Sequence, residues 1–131
     1  MSRDQTLTPK PDELTARIIG CAIEVHRELG PGLLESIYEE CLCVALTQAG
    51  MAVRRQVELP VIFRGVRLEA AYRIDLLVES RVVVEVKACE RLMPVHEAQL
   101  LTYLRLAECR VGLLMNFHSA LLRDAIVRRV L

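Results

Sequence analysis

The chain has 131 residues, with 17 Lys and Arg against 17 Asp and Glu, and therefore no formal net charge at pH 7. This length corresponds to one domain of ordinary size, and the 53 % hydrophobic content is enough for a substantial core. Zero net charge argues against strong non-specific binding to duplex DNA, which depends on phosphate neutralisation, but it leaves room for a local basic patch. No apolar run approaches the roughly 20 residues that a membrane-spanning helix needs.

The polar N-terminal residues 1–11 include two prolines, so we predict a flexible tail followed by a single domain over 12–131. The five cysteines form no CxxC pair, and no signal peptide is recognised. We therefore expect reduced, mostly buried thiols in a cytoplasmic protein, with an iron–sulfur or zinc site as the less favoured alternative.

Two helices are predicted at the start of the domain. Apolar residues recur at helical spacing over 12–29, and the glycines and proline of 30–32 end that pattern. The second helix is predicted over 33–49. Its apolar stripe consists of Leu34, Ile37, Tyr38, Cys41, Leu42, Ala45 and Leu46.

Three polar side chains of these helices are assigned to the surface. Glu39 and Glu40 fall off the apolar stripe and are expected to face solvent. His26, near the end of the first helix, is interpreted as a surface or capping residue rather than a ligand.

The rest of the chain predicts a mixed sheet. Residues 53–63 contain Pro60 and are expected to form two short strands or one broken strand, followed by a turn at Arg64-Gly65 and a strand that runs from 66 to 78. After the next strand, 82–86, a helix over 95–106 leads to an apolar strand over 111–116 that pairs parallel to 82–86, and residues 126–131 form a last strand. The predicted class is therefore α/β or α+β, with a mixed central sheet flanked by helices.

Charged residues interrupt two of these apolar strands. Asp75 lies in the first strand, and Glu85 and Lys87 lie two apart in the second, so that the last two share one face. Charges in such strands are costly unless they are paired, hydrogen-bonded or bound to a metal. From spacing alone, a structural ion pair and a divalent-cation site are both open. Lys87 is one of only two lysines in an arginine-rich chain, which slightly favours a chemical role.

In the order of its motifs the chain resembles the PD-(D/E)XK nuclease superfamily. Asp75 followed by Glu85-Val86-Lys87 corresponds to the Asp and E-x-K of that superfamily. The resemblance is closer to the GxxExxY family, whose helical motif appears here as GLLESIY over 32–38, and it covers about 14–131. Gln99 and Tyr103 match a Q-x-x-x-Y motif of an exonuclease branch. The position before Asp75, a proline in the superfamily's nominal motif, is Ile74 here.

The resemblance implies a restriction-endonuclease-like core and a Mg²⁺ site, in which Mn²⁺ also functions. The implied ligands are Asp75, Glu85, the Val86 carbonyl and Glu35, the last either directly or through water. Oxygen ligands suit this hard cation. Lys87 would position the attacking water and stabilise transition-state charge.

Four further residues receive roles only through the resemblance or their charge. Gln99 and Tyr103 would orient the lysine or contact the phosphate backbone, with ordinary helix packing as the alternative. Arg73 and Arg91 are candidates for phosphate contacts.

The implied function is a Mg²⁺-dependent nuclease that hydrolyses phosphodiester bonds, and the implied partner is nucleic acid, with DNA favoured over RNA and no membrane. A different reading is a non-catalytic interaction or regulatory module that keeps the nuclease fold, which the neutral net charge also fits. A third reading is that the cleft is completed in a homodimer or by a protein partner.

Overall fold

The computed structural model describes residues 11–131, and the predicted tail lies outside them except for Pro11, which begins the first helix. The described chain has the order helix, helix, three strands, helix, two strands. These elements are α1 (Pro11–Leu29), α2 (Glu35–Gln48), β1 (Val53–Phe63), β2 (Val66–Val78), β3 (Val82–Lys87), α3 (Pro94–Ala107), β4 (Val111–Asn116) and β5 (Ile126–Val130), with a short 3-10 helix at Leu122–Ala125 before β5.

The strands form one mixed sheet of five strands in the order β1-β2-β3-β4-β5. β1, β2 and β3 are antiparallel neighbours, and β5 runs antiparallel to β4. β3 and β4 are parallel because α3 carries the chain back across the sheet between them. The mixed sheet flanked by helices and the parallel pairing after a helical crossover are both confirmed.

Apolar side chains pack on both faces of the sheet. On one face, Leu14 of α1 and Leu42 of α2 pack against a cluster that includes Val84 and Val86 of β3. On the other face, Leu100 and Leu104 of α3 belong to the second cluster. Each helix layer therefore buries one side of β3, which explains why that strand is apolar at nearly every position.

Helix α3 lies close to the sheet at Gly112 in β4. A Cβ added at this glycine would stand 2.8 Å from Leu100 Cδ1 and 3.1 Å from Leu104 Cδ2. Contacts below 3.0 Å are too short for real carbon atoms, so the glycine permits this approach. Because α3 also carries Gln99 and Tyr103, Gly112 helps to set their height above the sheet.

Helix α2 begins later than the sequence predicted. Leu34 has an extended backbone, with φ −67° and ψ 145°, and the first helical residue is Glu35. Leu34 is 72 % exposed and Ile37 is 40 % exposed, so the predicted apolar stripe is wrong at its first two members, whereas Tyr38, Leu42 and Leu46 are buried as the stripe required. The glycine-containing loop at 30–32 delays the helix and leaves Leu34 outside it.

Of the two alternatives for 53–63, two short strands or one broken strand, the structure shows a single strand whose only break is in its register with β2. β1 runs without interruption through Pro60, but its register with β2 shifts between Leu59 and Val61. Proline has no backbone N–H and is tolerated here because β1 is an edge strand of the sheet.

Candidate active site

The candidate site lies where the backbone ladder between β2 and β3 ends. The two strands pair from Val78↔Val82 to Leu76↔Val84. Beyond that point, hydrogen bonds between side-chain carboxylates and backbone N–H groups replace the backbone ladder. Asp75 Oδ2 accepts a hydrogen bond from the backbone N–H of Val86 at 2.8 Å, and Glu85 Oε2 accepts one from the backbone N–H of Asp75 at 2.9 Å.

The reciprocal bonds hold two carboxyl groups side by side in a poorly solvated place. Glu85 is 4 % exposed, and Asp75 is half-buried. Burial, followed by the charge of Asp75, raises the pKa of Glu85 to about 8, and burial is also the main cause that raises the pKa of Asp75 to about 6. When both groups are ionised, their burial and mutual repulsion raise the free energy of the folded protein. A bound cation would relieve that repulsion.

Lys87, the last residue of β3, is half-buried and supplies the nearest opposite charge. Its positive charge lowers the pKa of both Asp75 and Glu85, but less than burial raises each. One ammonium group does not balance this pair, so a simple Glu85–Lys87 ion pair does not describe the arrangement.

Glu35, the first residue of α2, reaches the segment that follows Lys87. Its Oε1 accepts a hydrogen bond from the backbone N–H of Ala88 at 3.2 Å, and its charge is near enough to raise the pKa of Asp75. The same segment is held from β4, since Asn116 accepts from the N–H of Cys89 at 3.1 Å and donates to its carbonyl at 2.8 Å. The chain after Lys87 is therefore fixed from two elements.

Glu39 was missed by the sequence analysis. It is 6 % exposed, and the prediction that it faces solvent is wrong because β1 covers it. Its carboxylate forms an ion pair with Arg55 at 3.1 Å and accepts from the Gln56 amide at 3.0 Å. Its charge raises the pKa of both Asp75 and Glu85. The available signal was the four-residue spacing from Glu35, which places both carboxylates on one face of α2.

Strand β2 changes the face of the sheet on which its side chains pack at the level of Asp75. Along β2, Leu76 and Val78 pack in the cluster beneath α1 and α2, but Ile74 belongs to the cluster beneath α3. Strict alternation would have placed Ile74 on the same face as Leu76. This break turns the strand where Asp75 leaves the ladder and is not visible in the apolar pattern of the sequence.

Tyr103 of α3 lies beside the site on the face of the sheet that α3 covers. Its side chain is 5 % exposed, and burial together with the charges of Glu85 and Asp75 raises its pKa to about 12. The ring meets Tyr72 edge-on, with centroids 5.6 Å apart. Gln99 is half-buried one helical turn earlier. The phenol is therefore a neutral hydroxyl close to two carboxyl groups.

The other predicted site residues lie farther from this pair. Arg73 and Arg91 are both exposed, and within residues 11–131 no hydrogen bond or ion pair joins either guanidinium to Asp75 or Glu85.

His26 is 7 % exposed, so its assignment to the surface is wrong. Its ring packs near Phe117, and its Nε2 is buried without a hydrogen-bond partner in the described structure.

The cysteines are not paired with one another. All five are free thiols, two of them buried. In the part of the chain that the structure covers, no three side chains of His, Cys, Asp and Glu are grouped closely enough to hold a metal ion. A purely side-chain site with three or four ligands is therefore not preformed here.

The donor set nevertheless fits a hydrated magnesium ion. Magnesium keeps several waters and is usually bound through one or two carboxylates. Asp75 and Glu85 each use one oxygen on a backbone N–H, which leaves Asp75 Oδ1 with only a 3.5 Å contact to Gln56 and Glu85 Oε1 without a donor among residues 11–131. Two adjacent carboxylates with free oxygens in a buried place provide what such an ion needs.

A mixed sheet of this order, with an aspartate and an E-x-K segment on neighbouring strands, is the arrangement of restriction-endonuclease-like folds. The sequence model of the PD-(D/E)XK nuclease superfamily matches residues 12–130, and the chain belongs to that superfamily. No significant match was found among curated proteins or among solved structures. Over residues 11–131, no helix combines the length and the hydropathy needed to cross a membrane.

Proposed function

We propose that this protein is a divalent-cation-dependent nuclease that hydrolyses phosphodiester bonds in nucleic acid. The observation that carries the proposal is the pair of buried carboxyl groups at the end of the β2–β3 ladder. Asp75 and Glu85 fix each other's strand through reciprocal backbone bonds, while Glu85 Oε1 has no donor among residues 11–131 and Asp75 Oδ1 has only the 3.5 Å contact with Gln56. Their superfamily supports the same function.

Asp75 and Glu85 would hold Mg²⁺, or Mn²⁺ in its place, together with the Val86 carbonyl. Glu35 bonds to the Ala88 N–H and would act through a water molecule rather than directly. When bound, the cation would lower the pKa of a water molecule and neutralise charge that develops on the phosphate.

Lys87 would donate from its ammonium group to the attacking water and to the phosphoryl oxygens. It follows Glu85 on the same strand face and is half-buried. A positioned cation of this kind stabilises charge in the transition state, because it needs no reorganisation during the reaction.

Gln99 and Tyr103 would complete the wall of the cleft on α3. Tyr103, whose pKa is raised from 10.0 to about 12, is protonated over the physiological pH range and would donate a hydrogen bond to a phosphate oxygen or to a water. Arg73 and Arg91, both exposed, would contact the phosphate backbone on either side of the cleft.

The finer assignments are also proposals. We place the chain in the GxxExxY family on its GLLESIY segment, favour DNA over RNA as substrate, and expect a cytoplasmic protein. A homodimer or a protein partner stays a prediction.

The proposal is tested by incubating the purified protein with single-stranded and duplex DNA and RNA, with Mg²⁺, with Mn²⁺ and with chelator. Cleavage should require the cation and should fall by about 100-fold or more in Lys87→Ala, the scale of removing one transition-state donor. Lys10→Ala, in the N-terminal segment, is the matched control and should keep full activity. Equal cleavage by wild type and Lys87→Ala would identify a contaminant. Absence of cleavage in both would favour a non-catalytic interaction module.

A further inference from the structure

Gln56 has a backbone conformation that is unusual inside a strand. Its φ is 52°, in the left-handed region that side chains with a Cβ avoid. The other non-glycine residues with positive φ in the described chain all lie in turns outside the strands and helices: Arg64, Glu79, Ser80 and Glu108. A strained backbone conformation that is retained in the middle of a strand suggests that the side chain of that residue has a functional role.

The register of the sheet places Gln56 opposite Asp75. The pairs on either side are Arg55↔Leu76 and Val57↔Ile74. The Gln56 amide nitrogen lies 3.0 Å from each oxygen of Glu39 and 3.5 Å from Oδ1 of Asp75. One amide group therefore lies between two carboxylates and donates toward both, which its two N–H groups allow.

Glu39 fixes the orientation of that amide. Its carboxylate is buried, and the neighbouring Arg55 donates to Oε2 from Nε at 3.3 Å and from Nη2 at 3.1 Å. An ionised carboxylate only accepts hydrogen bonds, so the nitrogen of the Gln56 amide, and not its oxygen, must face it. The same nitrogen then faces Asp75.

We propose that Gln56 is a positioning residue for the cation site, an inference that rests on the proposed function. The backbone of Val86 holds Oδ2 of Asp75, and Gln56 holds the other oxygen, Oδ1. Two contacts on different oxygens fix the side-chain rotation of Asp75 without neutralising its charge, because the amide is uncharged. An oxygen of Asp75 is then held in a fixed position for the cation, and Glu39, besides the effect of its charge, supports that position through Gln56.

The test measures Mn²⁺ affinity by calorimetry and metal-free stability by thermal melting in chelator. Gln56→Gly removes the amide and frees the left-handed backbone from its steric penalty. We expect its melting temperature in chelator to be equal to or above that of wild type. Its Mn²⁺ affinity should fall by about tenfold or more, as for other residues that orient metal ligands.

Ser80→Gly is the matched control, since Ser80 has φ 53° in the turn between β2 and β3 and should keep wild-type affinity. Gln56→Asn serves as a second variant, because asparagine tolerates this φ but is one methylene shorter and should also bind Mn²⁺ more weakly than wild type. Wild-type affinity in both Gln56 variants would overturn the positioning role and leave the proposed nuclease standing. Absence of Mn²⁺ binding in the wild type would instead overturn the cation site itself.

Discussion

The two halves of the β2–β3 pair differ sharply although they are continuous in sequence. From Leu76 to Val78, β2 is joined to β3 by backbone bonds and buries apolar side chains in both clusters. One residue earlier, carboxylates replace the ladder and the strand changes the face on which it packs. The first half stabilises the fold, and the second half holds two carboxyl groups where they are poorly solvated.

The difference indicates how the fold offsets the free-energy cost of burying two neighbouring carboxyl groups. Asp75 and Glu85 are not spread over loops but anchored one position beyond a well-packed ladder, so the strands hold them where free carboxylates would repel each other. Substitutions in the two halves should therefore have opposite effects on stability, and the predictions below separate them.

The largest effect is expected in the apolar half. Leu76→Ala removes a side chain that is fully buried between the sheet and the helices α1 and α2. The lost contacts and the remaining cavity should lower the free energy of unfolding by about 3–5 kcal/mol. Denaturant melts in chelator measure this loss. A change below about 1 kcal/mol would show that the apolar half is not the stable part of the pair.

The carboxylate half should respond in the opposite direction. Asp75→Asn keeps an oxygen for the Val86 N–H but removes one of two like charges beside each other. In chelator at pH 8 the variant should be as stable as wild type or more stable, by up to about 1–2 kcal/mol, a trade-off typical of functional sites. It should also lose the rise in melting temperature that Mn²⁺ gives the wild type.

A structural ion pair would give the reverse result. Removing one partner of a buried pair strands the other charge, which costs about 3–5 kcal/mol with or without metal. Such a loss in Asp75→Asn, together with a wild type whose melting temperature does not respond to Mn²⁺, would contradict the cation site.

The last effect concerns pH. The folded protein raises the pKa of Asp75 to about 6 and of Glu85 to about 8, so the folded state binds more protons than the unfolded state between about pH 4 and 8. This contribution to stability is fully present at the acidic end of that range and is lost as the pH rises. Metal-free wild type should therefore lose melting temperature, relative to Glu85→Gln, as the pH rises from 5 to 8. Parallel curves for the two proteins would contradict the raised pKa.

Much of the fold could be predicted because its determinants are local. The apolar run 111–116 has the bounds of β4, and the turn residues 64–65 separate β1 from β2 as expected. Predicted and observed ends of α3 differ by one residue, and the start of α2 by two. Apolar periodicity determines which residues must be buried, but it does not determine how the loop at 30–32 sets the first turn of α2.

The site was harder to predict because its support comes from distant parts of the chain. The spacing of Asp75, Glu85 and Lys87 drew attention to the right strand ends. Glu39 and Gln56 were not found, because α2 and β1 approach each other only in the folded sheet. Nothing in the sequence near Glu39 shows that Arg55 will bury and neutralise it.

The measurement that tests the central claim most directly is the calorimetric titration of Mn²⁺ into the metal-free protein at pH 7, repeated in buffers with different ionisation enthalpies. Because the pKa of Glu85 is raised to about 8, that carboxyl is mostly protonated before the cation binds and must lose its proton to become a ligand. We predict one bound cation and the release of about one proton, both abolished in Glu85→Gln. Undiminished binding in Glu85→Gln would contradict a cation site built on Asp75 and Glu85, and binding without proton release would contradict the raised pKa of Glu85.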